Sequence, residues 1–439
     1  MIDVDGGIGT LFAYASKGRR ELPNTRYLLD GNVEGLSKGG AFAGQHIVTP
    51  LHGVAVHINA FNFPCWGLLE KLAPALLAGV PVVTKPATVT AYVAYELVRL
   101  ITESGALPEG ALQFIIGSTG DLFDHLTCQD VVSFTGSADT SQKLQRHPVI
   151  AREAVRFIAE RDSLNAAILA PGAAPGSPEF DLFIKEVAKE MTVKAGQKCT
   201  AIRRALAPSA QLDAVISALR DRLAKVVVGN PASDNVRMGP LVGLAQRNDV
   251  LAHVAKLRTE AELVAGDPDN FALVDADAKR GAFVPPLLLH CAKPLAATAV
   301  HEIEAFGPVC TVMGYDDLDQ AIALTNRGGG SLVASVYTHD IDAATELTFG
   351  IGSFHGRVAI IDRDCATEHT GHGSPMPQMV HGGPGRAGGG EELGGVRSLQ
   401  HYMQRTALQG SPRMLSGVTG RWFKGSPVLE GDLDRKSVV

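Results

Sequence analysis

"GVAVHINAFNFPCWGLLEKLAPALLAGVPVVTK", residues 53–85, decides the fold. The short apolar run "GVAVHI" leads into the longer helical stretch "PCWGLLEKLAPALLAG" and then a second apolar run, "VPVVTK". Strand, helix and strand at this spacing form the unit of a parallel sheet with crossover helices. The alternation continues with "TVTAYVAYELVRLITESG" as a helix and "ALQFII" as a strand, then "GDLFDHLT" as a short helix and "VVSFTG" as a strand. A second series begins near "NAAILA" and runs through "FDLFIKEVAKEMTVKAG", "IRRALA" and "QLDAVISALRDRLAKV". "GPVCTVMGY", one more helix, "SLVASVY" and "RVAII" complete it, ahead of a glycine-dense stretch at 381–395. The pattern predicts two α/β units meeting near residue 160, with the glycine-rich segment returning across them.

At 439 residues, the chain is long enough for two or three compact units with real cores. Its formal net charge of −6 and the lack of a clustered Lys/Arg stripe argue against nucleic acid as a partner. No apolar run reaches membrane-spanning length, since "LLEKLAPALLAGVPVV" is broken by Glu70, Lys71 and Pro74. "MIDVDGGIGT" lacks the layout of a signal peptide. Cysteines 65, 128, 199, 291, 310 and 365 form no CxxC pair. That fits neither a zinc site nor a disulfide framework, and points to a reducing, cytoplasmic setting.

Open parallel sheets bind ligands at the carboxyl ends of their strands. Four such ends carry polar residues: Asn59 and Asn62 after "GVAVHI", Lys85 ending "VVTK", Gly136-Ser137 after "SFT", and Glu160 ending "RFIAE". Taken singly, Asn62 reads as a turn former, Ser137 as a helix N-cap, Lys85 as a solvated strand end and Glu160 as a surface charge. Taken together, ahead of Cys199 on the turn of "VKAGQKCTAIRR" (193–204), they read as a site. Cys199 is then a nucleophile rather than one more small buried hydrophobe. "GPGRAG" (383–388) fits G-x-G-x-x-G, but no strand is expected before it and no helix after it, so it is rejected as a cofactor fingerprint. His369 and His372 lack a carboxylate or thiol at metal spacing, so no metal is expected. No histidine stands in a motif that would bring it to Cys199, which sets a Cys–His hydrolase aside.

"NAFNFPCWG", "VTKPAT", "SFTGSADT", "AERDSLNAAIL", "GQKCTAIRR" and "HEIEAFGPV" occur in this order along nearly the whole chain. In order and approximate spacing they resemble the aldehyde dehydrogenase superfamily. "DGGIGTLFAYAS", "HINAFNFP" and "GHGSPMPQMVHGGPGRAGGGEELGG" are most similar to the dehydrogenase domain of the bifunctional ring-opening enzymes of phenylacetyl-CoA breakdown. The semialdehyde dehydrogenases of the aerobic benzoyl-CoA pathway share many of these strings. The implied fold is α/β and aldehyde dehydrogenase-like, with two doubly wound parallel-sheet domains and a projecting oligomerisation hairpin. The cofactor-binding domain would take residues 1–24 and 51–163, its N-terminal part missing, and the catalytic domain residues 164–397. Residues 25–50 and 398–412 would build a homodimer or larger assembly, and 413–439 would form a tail.

The resemblance further implies that Cys199 is the nucleophile, that Asn62 and the Cys199 backbone N–H form an oxyanion hole, and that Glu160 is the general base. It implies a nicotinamide cofactor held by Lys85 at the adenosine ribose, by Gly136 and Ser137 at the pyrophosphate, and by Glu304 at the nicotinamide ribose, with Phe306 packing nearby. Phe61 stands where many relatives have a tryptophan that donates to the pyrophosphate. Thr88 stands where NAD-preferring members often carry a glutamate, so NADP is expected, with NAD as the alternative. The expected substrate is a CoA-linked aldehyde, 3-oxo-5,6-dehydrosuberyl-CoA semialdehyde in phenylacetate catabolism. The alternatives are 3,4-dehydroadipyl-CoA semialdehyde, a free aliphatic aldehyde, or an inert fragment with no closed cofactor site. The chain is expected to be truncated at both ends, with a hydratase-like domain lost. "DRKSVV" (434–439) is expected to be a sequencing-adapter read-through, because a common adapter encodes it in one frame.

Overall fold

The computed structural model describes residues 2–427, so the expectation about "DRKSVV" lies outside the described residues. A helix over Ile2–Glu21 leads into an antiparallel hairpin, β1 (Leu28–Gly35) and β2 (Ala43–Pro50). This is the projecting element expected at 25–50, and the second half of β1 is exposed.

Five strands then build a wholly parallel sheet: β3 (Ala55–Ile58), β4 (Val82–Lys85), β5 (Leu112–Phe114), β6 (Val131–Thr135) and β7 (Arg156–Glu160). Their order is β5-β4-β3-β6-β7. The chain runs outward from β3 to β5, then returns to the other side of β3, so the strand ends part between β3 and β6. A crevice at such a reversal is where open α/β sheets bind ligands. Every residue of β3 is buried, because both faces of the sheet are covered. The helix Trp66–Leu77 packs Leu68, Leu69 and Leu72 into the core beneath this sheet. Each fully buried leucine contributes about 1.5–3 kcal/mol relative to an exposed one.

The second sheet holds β8 (Ala166–Leu169), β9 (Arg204–Pro208), β10 (Glu262–Ala265), β11 (Leu287–Cys291), β12 (Val309–Tyr315), β13 (Ser331–Tyr337) and β14 (His355–Ile361). Their order is β10-β11-β12-β9-β8-β13-β14, parallel except for the edge strand β10. The glycine-dense stretch forms a small antiparallel pair, β15 (Val380–Gly382) and β16 (Glu391–Leu393), with His381 opposite Glu392. Finally β17 (Met403–Gly410) pairs with β2 from Met403–Pro50 to Gly410–Ala43, making a sheet of order β1-β2-β17.

The reading of "GPGRAG" needs one correction: a strand does precede it, since β15 ends at Gly382. That strand is antiparallel, however, and residues Gly385–Ala387 make a single 3₁₀ turn rather than a helix. The glycines there allow backbones to touch. Gly388 has φ +112°, and a Cβ on it would stand 2.2 Å from the carbonyl oxygen of Ala159. Arg161 N donates to Ala387 O at 3.0 Å and Gly390 N to Ala159 O at 3.3 Å, which clips the segment to the end of β7. All six cysteines are free thiols. Among the described residues, no helix is long and apolar enough to cross a membrane.

Candidate active site

The helix Pro178–Thr192 aims the chain at the site. Ser177 caps it, its Oγ accepting from Phe180 N, and Pro178 fills its first turn. Beyond Thr192 the backbone turns left-handed at Lys194 (φ 55°), Ala195 (φ 52°) and Gly196 (φ 67°). The turn expected within 193–204 therefore starts at Lys194, on side chains that adopt this conformation only under strain. A Cβ at Gly196 would stand 2.1 Å from Gly307 O, so close packing as well as φ demands glycine there.

Two buried side chains that sequence reasoning did not single out hold this loop. Arg203 donates to Gly196 O at 3.0 Å, Lys198 O at 3.2 Å and Gly307 O at 2.8 Å. Asn165 Nδ2 donates to Cys199 O at 2.7 Å and Ala201 O at 3.0 Å, while its Oδ1 accepts from Ser163 Oγ and Val333 N. Both lie inside the quoted strings "AERDSLNAAIL" and "GQKCTAIRR", as polar residues next to runs that become buried strands, and that was the signal available.

The structure brings Asn62, Glu160 and Cys199 together. Asn62 is buried, and its Nδ2 donates to Gln197 O at 3.1 Å, just before Cys199. Beside Glu160 stands a histidine that no sequence motif placed near Cys199. His381 Nε2 lies 3.0 Å from Glu160 Oε2, with both side chains 3% exposed. One ligating atom from each of Glu160, Cys199 and His381 falls within 4.8 Å of the others. Pairing with β16 and the clip onto β7 carry His381 there, a long-range effect with no local motif.

Behind this trio runs a buried ionic network. Lys71 Nζ donates to Glu392 Oε2 at 3.0 Å and Thr135 Oγ1 at 2.7 Å, and lies 3.9 Å from Glu70 Oε1. Ser133 Oγ donates to Glu392 Oε1 at 3.0 Å. Burial pushes the Glu70 carboxyl up to about 7, against the pull of Lys71. Burial would also raise Glu160, but its pairing with His381, with Lys71 behind it, overrides burial and holds the carboxyl down at about 2. Burial and then the Glu160 charge push the Cys199 thiol well above its ordinary range. Glu160 is thus an ionised carboxylate beside a protonated thiol.

Of the expected cofactor residues, Phe61, Lys85 with Thr88, and Gly136 with Ser137 follow β3, β4 and β6, while Glu304 and Phe306 stand on the segment before β12. Lys85 Nζ donates to Pro86 O at 3.1 Å and has no acidic partner among the described residues. Thr88 is exposed three residues further on. Ser137 caps the helix Ala138–Gln145, and Gly136 N donates to Glu160 O at 3.1 Å, tying this turn to β7. Asp162 Oδ1 accepts from Ala138 N at 2.8 Å at the same helix end. Phe61 and Phe306 meet edge to face at 5.8 Å. Glu304 pairs with Arg203 Nε at 3.1 Å and accepts from Ser163 N at 2.9 Å, while burial pushes its carboxyl up to about 7. A cation, a helix N-terminus and an aromatic pair around one crevice fit a dinucleotide.

The chain belongs to the aldehyde dehydrogenase family, whose profile matches residues 2–408. It is therefore an oxidoreductase acting on aldehydes. It is 53% identical over 382 residues to the 3,4-dehydroadipyl-CoA semialdehyde dehydrogenase of Aromatoleum evansii, across 87% of this chain and 74% of that one. Protein MaoC of Klebsiella aerogenes is 50% identical over 195 residues, 44% of this chain and 56% of that relative. Among solved structures, betaine aldehyde dehydrogenase from Staphylococcus aureus, in complex with NAD+, superposes with a TM-score of 0.78 at 24% identity. That match covers 93% of this chain and 75% of the other, and it establishes the fold.

The thiol beside a carboxylate generates a prediction. Glu160→Gln removes the charge that opposes the thiolate, so iodoacetamide should modify Cys199 faster in that variant than in wild type at pH near 7–8. Mass spectrometry of the Cys199 peptide reads the rate. Equal rates would mean that the carboxylate has no hold on the thiol.

Proposed function

We propose that this aldehyde dehydrogenase oxidises a CoA-linked semialdehyde to its carboxylic acid through Cys199. The observation that carries the reading is the meeting of Asn62, Glu160 and Cys199 at the crevice end of two sheets. The Cys199 thiol passes its proton to the neighbouring Glu160 carboxylate and from there to water, and the thiolate adds to the aldehyde carbon, giving a thiohemiacetal. The Asn62 amide and the Cys199 backbone N–H face its oxyanion, and losing one such donor typically costs about 10²–10³ in rate. Lys85, Gly136, Ser137, Glu304, Phe61 and Phe306 would hold a nicotinamide dinucleotide, which would supply the hydride acceptor. Collapse of the alkoxide with loss of hydride leaves a thioester on Cys199. Glu160 takes a proton from water, the water oxygen attacks the thioester carbon, and the C–S bond breaks to release the acid and the thiolate.

Two CoA-linked substrates have support. The strings shared with the phenylacetyl-CoA enzymes favour 3-oxo-5,6-dehydrosuberyl-CoA semialdehyde. The Aromatoleum evansii relative, at 53% identity, favours 3,4-dehydroadipyl-CoA semialdehyde. A surface groove of about 600 Å³ between the helices Pro178–Thr192 and Leu212–Leu223 supports a CoA ester over a free aldehyde. Lys185, Arg222, Lys225 and Arg237 line it beside Asp221, together with Lys189, which is paired with Glu186 at 3.1 Å, and the helix of its first wall precedes the Cys199 loop in the chain. That charge suits the phosphates of CoA. In a turnover panel, CoA-linked aldehydes should exceed free ones in kcat/KM by about tenfold or more, a difference of about 1.4 kcal/mol. Arg222→Glu should raise KM for the CoA-linked aldehydes alone. Equal preference would remove CoA from the reading, and no turnover of any aldehyde would favour an inert chain.

Thr88 supports NADP, since no carboxylate stands there to repel a 2′-phosphate. Wild type should use NADP better than NAD at equal concentrations, and Thr88→Glu should reverse the order. A wild-type preference for NAD would remove this assignment.

β1, β2 and β17 support a homodimer or larger assembly, because a sheet projecting with open edges calls for a partner strand or cover. Light scattering should read at least twice the chain mass. A monomer at micromolar concentration, with the hairpin freely cut by protease, would show the sheet to be a surface arm only.

A further inference from the structure

One buried titratable group of the site takes no part in the chemistry proposed above. His381 reaches Glu160 with its Nε2 at 3.0 Å, and its Nδ1 bonds no protein atom among the described residues, so the ring's orientation rests on Glu160. Both partners are fixed by backbone: Gly390 N bonds Ala159 O, next to Glu160, and β16 pairs across from His381. We infer that His381 is a positioning residue that carries a positive charge against Glu160, keeping that base ionised and aimed. The inference rests on the reading of Glu160 as the base.

The physical need comes from burial. A lone carboxylate at this depth would take up a proton, and a protonated Glu160 cannot accept one from water. An imidazolium removes that obstacle and leaves Glu160 its second oxygen for the thiol or for water.

The charges around His381 favour its cation. Glu160 faces it from β7, Glu70 and Lys71 from the helix Trp66–Leu77, Arg357 from β14, and Glu392 from its register position on β16. Burial and Arg357 work against a charged ring, while Glu160 and Glu70 work for it and raise it above its ordinary value. Lys71 is already engaged by Glu392.

With its neighbour at His381, the Glu160 carboxyl lies at about 2 and is ionised throughout the working range. Without the cation, burial raises it, so hydrolysis gains an acid limb that wild type lacks.

Two measurements test the pair. In protein carrying ¹⁵N-histidine, with the His381 resonance assigned by its loss in His381→Gln, the ring should be cationic at about pH 7 in wild type and neutral in Glu160→Gln. In His381→Gln, which keeps a hydrogen bond but no charge, the acyl-Cys199 thioester should form and then persist at acid pH. Its hydrolysis should fall about tenfold for each pH unit below the new Glu160 value. Wild-type hydrolysis should stay nearly flat over the same range. His381→Asn serves the same purpose if the glutamine variant does not fold. A neutral His381 in wild type at pH 7, or a wild-type pH profile in His381→Gln, overturns the inference. If wild type never forms the acyl-enzyme, the proposed reaction fails instead, and the resonance alone upholds or removes the charged pair.

Discussion

The site hangs on the Arg203 guanidinium. It is buried, pairs with Glu304, and spends its remaining donors on the carbonyls of Gly196, Lys198 and Gly307. The Gly196 carbonyl ends, and the Lys198 carbonyl follows, a turn that holds three successive residues at positive φ, while Gly307 belongs to the segment packed against it. Such a backbone is tolerable only where its polar groups are satisfied from outside the turn. Arg203 does this from one side and Asn165 from the other, through Cys199 O. Breaking the Arg203–Glu304 pair from either end would leave an uncompensated buried charge, which typically costs about 3–5 kcal/mol.

A second constraint operates between backbones. The segment after β15 lies against the end of β7 so closely that a side chain at Gly388 would overlap Ala159 O. The same contact delivers His381 to Glu160 and Glu392 to Lys71. One stretch of glycine thus closes the crevice and supplies two of its buried charges. The resulting polar interior is satisfied pair by pair: Lys71 with Glu392, Lys198 with Glu190 at 2.7 Å, and Arg203 with Glu304. Buried charges persist when partnered in this way, and they specify one arrangement more than they stabilise it.

Much of this was legible in the chain. The apolar runs of β3, β4, β6, β8, β12 and β13 announce themselves because strands covered on both faces need continuous hydrophobicity. Asn62, Lys85, Ser137, Glu160 and Cys199 stand at strand or helix ends, where a polar residue interrupts a core pattern. His381 could not be found that way. It sits in a glycine-rich segment with no periodicity, and its meaning comes from a partner more than two hundred positions earlier. The left-handed start at Lys194 and Ala195 was equally hidden, because neither residue type announces positive φ. The short strand before "GPGRAG" was missed because three residues show no alternation.

The pairing of β17 with β2 also sets an order of events as the chain is made. β2 precedes both large sheets in the chain, while its partner β17 follows them. Until that later part of the chain is made, β2 has only β1 beside it, Lys71 lacks Glu392, and Tyr14 lacks the Ser398 hydroxyl that it meets at 2.9 Å. The entropy of closing so long a loop grows slowly, by about 0.6 kcal/mol per doubling, so the burden falls on time rather than on final stability. The crevice therefore cannot close before β15 and β16 are available to meet the end of β7.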